Sequence, residues 1–142
     1  MSYVLFALKI PFYIIIESLT MGQISTLYPR LTASIRQVIA NNFKLNLSEK
    51  AVKQHLKALT AMRNIIAHHD RLFNNAKLIK INNFDNLTNF NSSTPRAYFD
   101  LIDYYLSLIA PEHTFKQKLK YQIDKYVSKY KICLSHWGFT AT

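Results

Sequence analysis

The chain has 142 residues, 49% hydrophobic and 18% charged, a composition that suits one packed domain and excludes both a disordered chain and two domains of ordinary size. Eighteen Lys and Arg against eight Asp and Glu leave a formal charge of +10, so the natural partner is a polyanion, either nucleic acid or an anionic membrane, unless the charge merely solvates a basic protein. The single cysteine, Cys133, cannot form an internal disulfide, so nothing demands an oxidising compartment, and a cytoplasmic location is expected.

The opening run "MSYVLFALKIPFYIII" is broken by Lys9 and Pro11 and followed by Glu17. A spanning helix needs about 20 mostly apolar residues, and the run lacks the charged start and small-residue cleavage site of a signal peptide. A buried core helix from Pro11 to Met21, stopped by Gly22, is expected instead, with a turn over Ser25 to Pro29. A second helix spans Thr32 to Phe43, with Ile35, Val38 and Ile39 on its apolar face and Leu31 at its edge. Ser48 caps a third, "EKAVKQHLKALTAMRNIIAHH", which runs to Asp70 without glycine or proline.

The stretch "NNAKLIKINNFDNLTNFNSSTP" is rich in Asn and lacks a sustained period, so it reads as a long loop with a short strand at Leu78 to Ile81. Thr94 and Pro95 open a fourth helix whose stripe is Tyr98, Leu101, Ile102, Tyr105, Leu108 and Ile109. A fifth, Pro111 to Leu134, aligns Phe115, Leu119, Ile123, Tyr126 and Tyr130 among many lysines, and the tail "SHWGFTAT" either docks or frays. The pattern is an all-α bundle of about five helices with one long Asn-rich loop.

At about 100° per residue, the third helix divides into two faces. Val52, Ala58, Leu59, Met62, Ile65 and Ile66 form the core stripe; Lys50, Lys53, Lys57, Thr60, Asn64, His68 and Arg71 lie opposite. Asn64, His68 and Arg71 fall within about 60° of one another, and Ala67 leaves room between His68 and Arg63. His69 points to the flank of the apolar face, as a partly buried histidine with a backbone partner would. On chemistry alone the polar face is an ordinary solvated helix end, where cations are favoured by the dipole. Adjacent His68 and His69 diverge, no HExxH pattern occurs and Cys133 has no companion, so no metal site is expected; no glycine-rich phosphate loop is present, and no cofactor is expected.

The hexapeptide "RNIIAH" resembles the RNxxxH signature of HEPN domains, and "RNIIAHHDRLFN" resembles the RNxxAHHxRLxN motif of abortive-infection (Abi) proteins of the AbiD/AbiF type. The upstream "IESLTMGQISTLYPRL" and the terminal "HWGFTAT" resemble the corresponding segments of that family, so the likeness spans Pro11 to Phe139. It implies a single HEPN-like helical domain over residues 1–142. Family members are usually longer at the N-terminus, so the resemblance implies that the chain is their C-terminal HEPN portion, either a shorter form or a truncated one. It further implies a bundle, often dimeric, that cleaves RNA without metal in defence against phage. Arg63 and His68 match the catalytic pair, Asn64 the polar residue that supports them, and Arg71 and Asn74 the extended motif.

Metal-free RNA cleavage needs a base for the 2′-hydroxyl proton, a cation for the developing phosphorane charge and an acid for the leaving 5′-oxygen. Histidine titrates near neutrality and serves either proton step; the arginine fork matches phosphate oxygens. One chain offers one such histidine, so a homodimer is expected to supply the second. Lys50, Lys53 and Lys57 would guide the RNA backbone or simply form a solvated face. Glu17 either pairs with Arg63, orients a motif side chain, or lies exposed at its helix end. The expected partners are RNA, a second copy and an antitoxin or inhibitory protein. The alternative is a catalytically silent RNA-binding or toxin–antitoxin module; a membrane-surface role ranks last, and no membrane partner is expected.

Overall fold

Ser48 opens the longest described helix by accepting the backbone N–H of Ala51 on its hydroxyl at 3.2 Å. In the computed structural model, which describes residues 12–41, 47–72, 75–81, 93–131 and 133–139, this helix is the fourth of six. They are α1 (Phe12–Ser18), α2 (Met21–Leu27), α3 (Ala33–Asn41), α4 (Glu49–Ala67), α5 (Pro95–Ile109) and α6 (Phe115–Tyr130), with 3-10 turns at Tyr28–Arg30 and Leu134–Trp137. The fold is all-α, and no strand occurs among the described residues.

The fold is organised around α4. Its first half packs Ala51 and Val52 against Tyr28, Ala40 and Leu47; its second half packs Ala58, Met62 and Ile65 against Leu78, Ile81, Ala97, Tyr98 and Leu101. The α3 helix is tied to the start of α4 by Arg36, whose Nε donates to Glu49 Oε2 at 2.7 Å and whose Nη1 donates to the Leu31 carbonyl at 2.6 Å. That bond holds the Glu49 carboxyl below the usual carboxylate range. One buried polar side chain sits in this core: His55, 1% exposed, lies 3.0 Å through Nδ1 from the Tyr105 hydroxyl, which burial pushes well up from its ordinary pKa.

Several expectations are corrected. The first helix stops short, at Ser18, and another starts at Met21, because Thr20 forms a reciprocal cap: its hydroxyl accepts from Gln23 N, and its N–H donates to Gln23 Oε1 at 2.7 Å. Gly22 therefore lies inside α2, and the turn expected over Ser25 to Pro29 is largely helix. Nor is α1 a buried core helix, since Ile14, Ile15 and Ile16 are all exposed; three consecutive positions sweep about 200° and cannot share one buried face. On α3, Ile35 and Val38 face outward, because Ala40 and the bound Arg36 take the inward positions.

Leu78 and Ile81 are buried without forming a strand: an isolated bridge marks Ile81 alone, and Tyr98 Oη donates to the Ile79 carbonyl at 2.6 Å and accepts from Ile79 N at 2.8 Å, satisfying the backbone groups of that residue. The Asn-rich residues 82–92 lie outside the described residues. At the far end α6 begins at Phe115, after a turn at Pro111, and stops at Tyr130 with Lys131 in a left-handed cap. Phe115, Leu119 and Ile123 are half-buried as expected, but Tyr126 and Tyr130 are exposed. The tail docks: Arg96 Nη1 donates to the Gly138 carbonyl at 3.3 Å and its guanidinium stands 5.6 Å from the Phe139 ring centre. Gly138 has φ 84°, and a Cβ there would fall 2.6 Å from Thr94 Oγ1, so the close approach requires glycine.

Candidate active site

Met62 and Ile65, both nearly inaccessible, anchor the last turns of α4, and the residues around them are open to solvent. Arg63, Asn64, Ala67 and His68 are exposed, as is Ile66 at 54%. The core stripe expected here therefore loses Ile66.

The helix ends at Ala67 rather than Asp70 because two backbone bonds close it: His69 N donates to Ile66 O at 3.0 Å and Asp70 N to Ile65 O at 2.9 Å. Such a closure puts one residue in the left-handed region, and that residue is His69, with φ 55°. His69 is thus an exposed turn residue, not a partly buried one. His68 keeps near-helical geometry as the C-cap and donates its N–H to Asn64 O at 3.0 Å.

Asn64 and His68 line one depression of about 210 Å³ with Ala61, Ile65, Asp70 and Lys77. Its polar wall is an ion pair, Lys77 Nζ to Asp70 Oδ2 at 2.6 Å. The hydrogen bond from Lys77 holds the Asp70 carboxyl below its usual range, with the charge of His68 acting in the same direction. Asn75 sets up this return of the chain: its Oδ1 accepts from Lys77 N at 2.9 Å and its Nδ2 donates to Arg71 O at 2.7 Å.

Arg71 is not brought to the Asn64 and His68 face. Past the end of α4 the helical period no longer applies, and Arg71 lines an adjoining depression with Asp70, Asn75, Ala76 and Lys77. Arg63 lies on the other flank of α4, against α2, where a Cβ at Gly22 would stand 3.9 Å from Arg63 Nη2. Nearby, Thr60 Oγ1 donates to Leu56 O at 2.7 Å and lies 3.4 Å from Met21 O, which seats α2 on α4. Lys50, Lys53 and Lys57 are exposed along α4. Glu17 is exposed on α1, and no ion pair joins it to Arg63 among the described residues. Asn74 lies outside the described residues.

Asp70 and Lys77 are the site residues that sequence reasoning missed. Asp70 stands inside the quoted motif, but Lys77 sits in an aperiodic stretch, where the capacity of Asn75 to bond nearby backbone is the local signal of a chain reversal. No group of three or more His, Cys, Asp or Glu side chains that could hold a metal ion occurs among the described residues.

Fold and site together define an all-α protein whose central helix ends with exposed amide and imidazole side chains on one flank and an exposed guanidinium on the other. Residues 6–74 match the family model for Abi-like protein, and over this stretch, which takes in α1 to α4 and the whole RNIIAHHDRLFN run, the chain is similar to that family. No curated protein and no solved structure gives a significant match. No helix among the described residues is long and apolar enough to cross a membrane.

Proposed function

We propose that the chain is a metal-independent endoribonuclease of phage defence, an HEPN protein of the AbiD/AbiF type, acting at a composite site between two copies. The similarity of residues 6–74 to Abi-like protein supports the abortive-infection setting. The observation that carries the chemistry is the joint exposure of Arg63, Asn64 and His68 on the closing turns of α4.

In the proposed reaction one His68 takes the proton of the RNA 2′-hydroxyl as the 2′-oxygen forms its bond to phosphorus. The bond from phosphorus to the 5′-oxygen breaks, and His68 of the second copy gives that oxygen a proton. Arg63 stabilises the phosphorane oxygens as negative charge builds on them. The products are a 2′,3′-cyclic phosphate and a 5′-hydroxyl. Arg63 and His68 project about 140° apart on one helix, which supports a cleft where each is matched with the other from the second copy. Ile66, exposed on the Arg63 flank of α4 and about 60° around the helix from Arg63, is the apolar contact such a pairing would bury. Lys50, Lys53 and Lys57 extend the cationic face along α4 for the RNA backbone. The test is cleavage of single-stranded RNA by the purified chain in EDTA, with Arg63→Ala and His68→Ala as comparisons and the product ends analysed.

A further inference from the structure

The α6 helix lies outside the family-matched residues and has no fully buried side chain. It packs on α5 with Phe115, Leu119, Ile123 and Val127 half-buried, and its C-terminal half leaves Tyr126 and Tyr130 exposed at 46% and 57%, Tyr126 at the edge of a groove it lines with Phe99, Leu134 and Trp137. Their rings are stacked, with centroids 5.9 Å apart and planes 12° from parallel. Lys125 Nζ stands 6.0 Å from the Tyr126 ring centre, and Lys129 Nζ stands 5.1 Å from that of Tyr130.

The helical period puts Lys118, Lys125 and Lys129 within about 40° of one another, on the flank beside the two rings. None of the three pairs with a carboxylate among the described residues, whereas Lys116, on another side of the helix, reaches Asp103. Two parallel rings exposed to water with unneutralised ammonium groups along one edge suit a ligand with flat π faces joined by regularly spaced negative charges. A single nucleic-acid strand has that form: bases stack on aromatic side chains while cations follow the phosphates. A duplex keeps its bases inside and offers no such face.

We infer that the C-terminal half of α6 is a second RNA-binding surface, on which Tyr126 and Tyr130 stack bases of a single strand and Lys118, Lys125 and Lys129 hold its phosphates. This rests on the RNA-cleaving reading above and adds to it a place for unpaired substrate away from the α4 motif. It makes single-stranded RNA the preferred substrate class.

The test uses the full chain carrying His68→Ala, so that bound RNA stays uncut, and reads the anisotropy of a labelled oligouridine. Changing Tyr126 and Tyr130 together to Ala is expected to weaken binding at least about tenfold, while changing both to Phe, which keeps the π faces, stays within about twofold. Lys118, Lys125 and Lys129 changed together to Gln should flatten the salt dependence by about two in log–log slope. A chain that binds no oligouridine, or binds it equally without the two rings, overturns the inference. So does a phenylalanine pair as weak as the alanine pair, or an affinity loss that tracks a change of molar mass in light scattering, which would make the face a contact between copies. Failure of the endoribonuclease reading looks different: an unmutated chain that binds oligouridine through α6 and leaves it whole.

Discussion

Lys77 Nζ lies 2.6 Å from Asp70 Oδ2, so a lysine from the segment after the motif neutralises the carboxylate that shares a depression with His68. Without that lysine the carboxylate would face an incoming phosphate unscreened. Lys77→Ala is therefore expected to raise KM for RNA cleavage more than it lowers kcat, and Asp70→Asn added to it should restore much of the loss. Steady-state kinetics on the two variants checks this; an unaltered KM in Lys77→Ala would take Lys77 out of the site.

His69 adopts φ 55°, a conformation costly to a side chain with a Cβ by about 1–2 kcal/mol. His69→Gly should stabilise the chain by about 1 kcal/mol in urea denaturation, and His69→Val should destabilise it. Cleavage by His69→Ala should stay close to that of the unmutated chain, since the residue serves the turn. Equal stability of the Gly and Val variants would contradict the role given to the turn.

These details mark what was legible in the sequence. The Ser48 cap and the Pro95 start were readable because the chemistry of a helix start is local, and α4 and α5 begin where expected. The Thr20 and Gln23 box was equally local, yet Gly22 drew attention away from it. The α4 stop was not legible, because a histidine occupies the left-handed position that glycine usually announces. The burial of His55 and the outward turn of Ile35, Val38 and Ile66 depend on which neighbours arrive from elsewhere in the chain, and helical period alone carries no such information. For the site, Asn64 and His68 share a depression as their spacing implied, whereas Lys77 reaches it through a loop return and Arg71 leaves their face with the end of the helix.

Glu49, bound to Arg36, has its carboxyl held below the ordinary value of 4.5, so the pair favours the folded state above that value and the contribution is lost as the pH falls through the lowered one. Glu49→Gln should lower the melting temperature at neutral pH, and the gap to the unmutated chain should close in acid. Thermal melts across that range check it; a gap independent of pH would mean that the charge of Glu49 contributes nothing.

Ile66, at 54% exposure on the Arg63 flank of α4, is the apolar side chain that the proposed pairing of two copies would bury. Ile66→Glu is expected to convert a dimer to a monomer at micromolar concentration in light scattering, with the helical circular dichroism unchanged because the side chain is outside the core. A dimer that tolerates the charge would put the interface elsewhere.

Cleavage of single-stranded RNA in the presence of EDTA, measured side by side for the unmutated chain and His68→Ala, tests the proposed chemistry most directly. The expected result is cutting that leaves 2′,3′-cyclic phosphate ends and falls by at least about 100-fold in His68→Ala, with RNA binding retained. Undiminished cutting by His68→Ala, or cutting that EDTA abolishes, would contradict it.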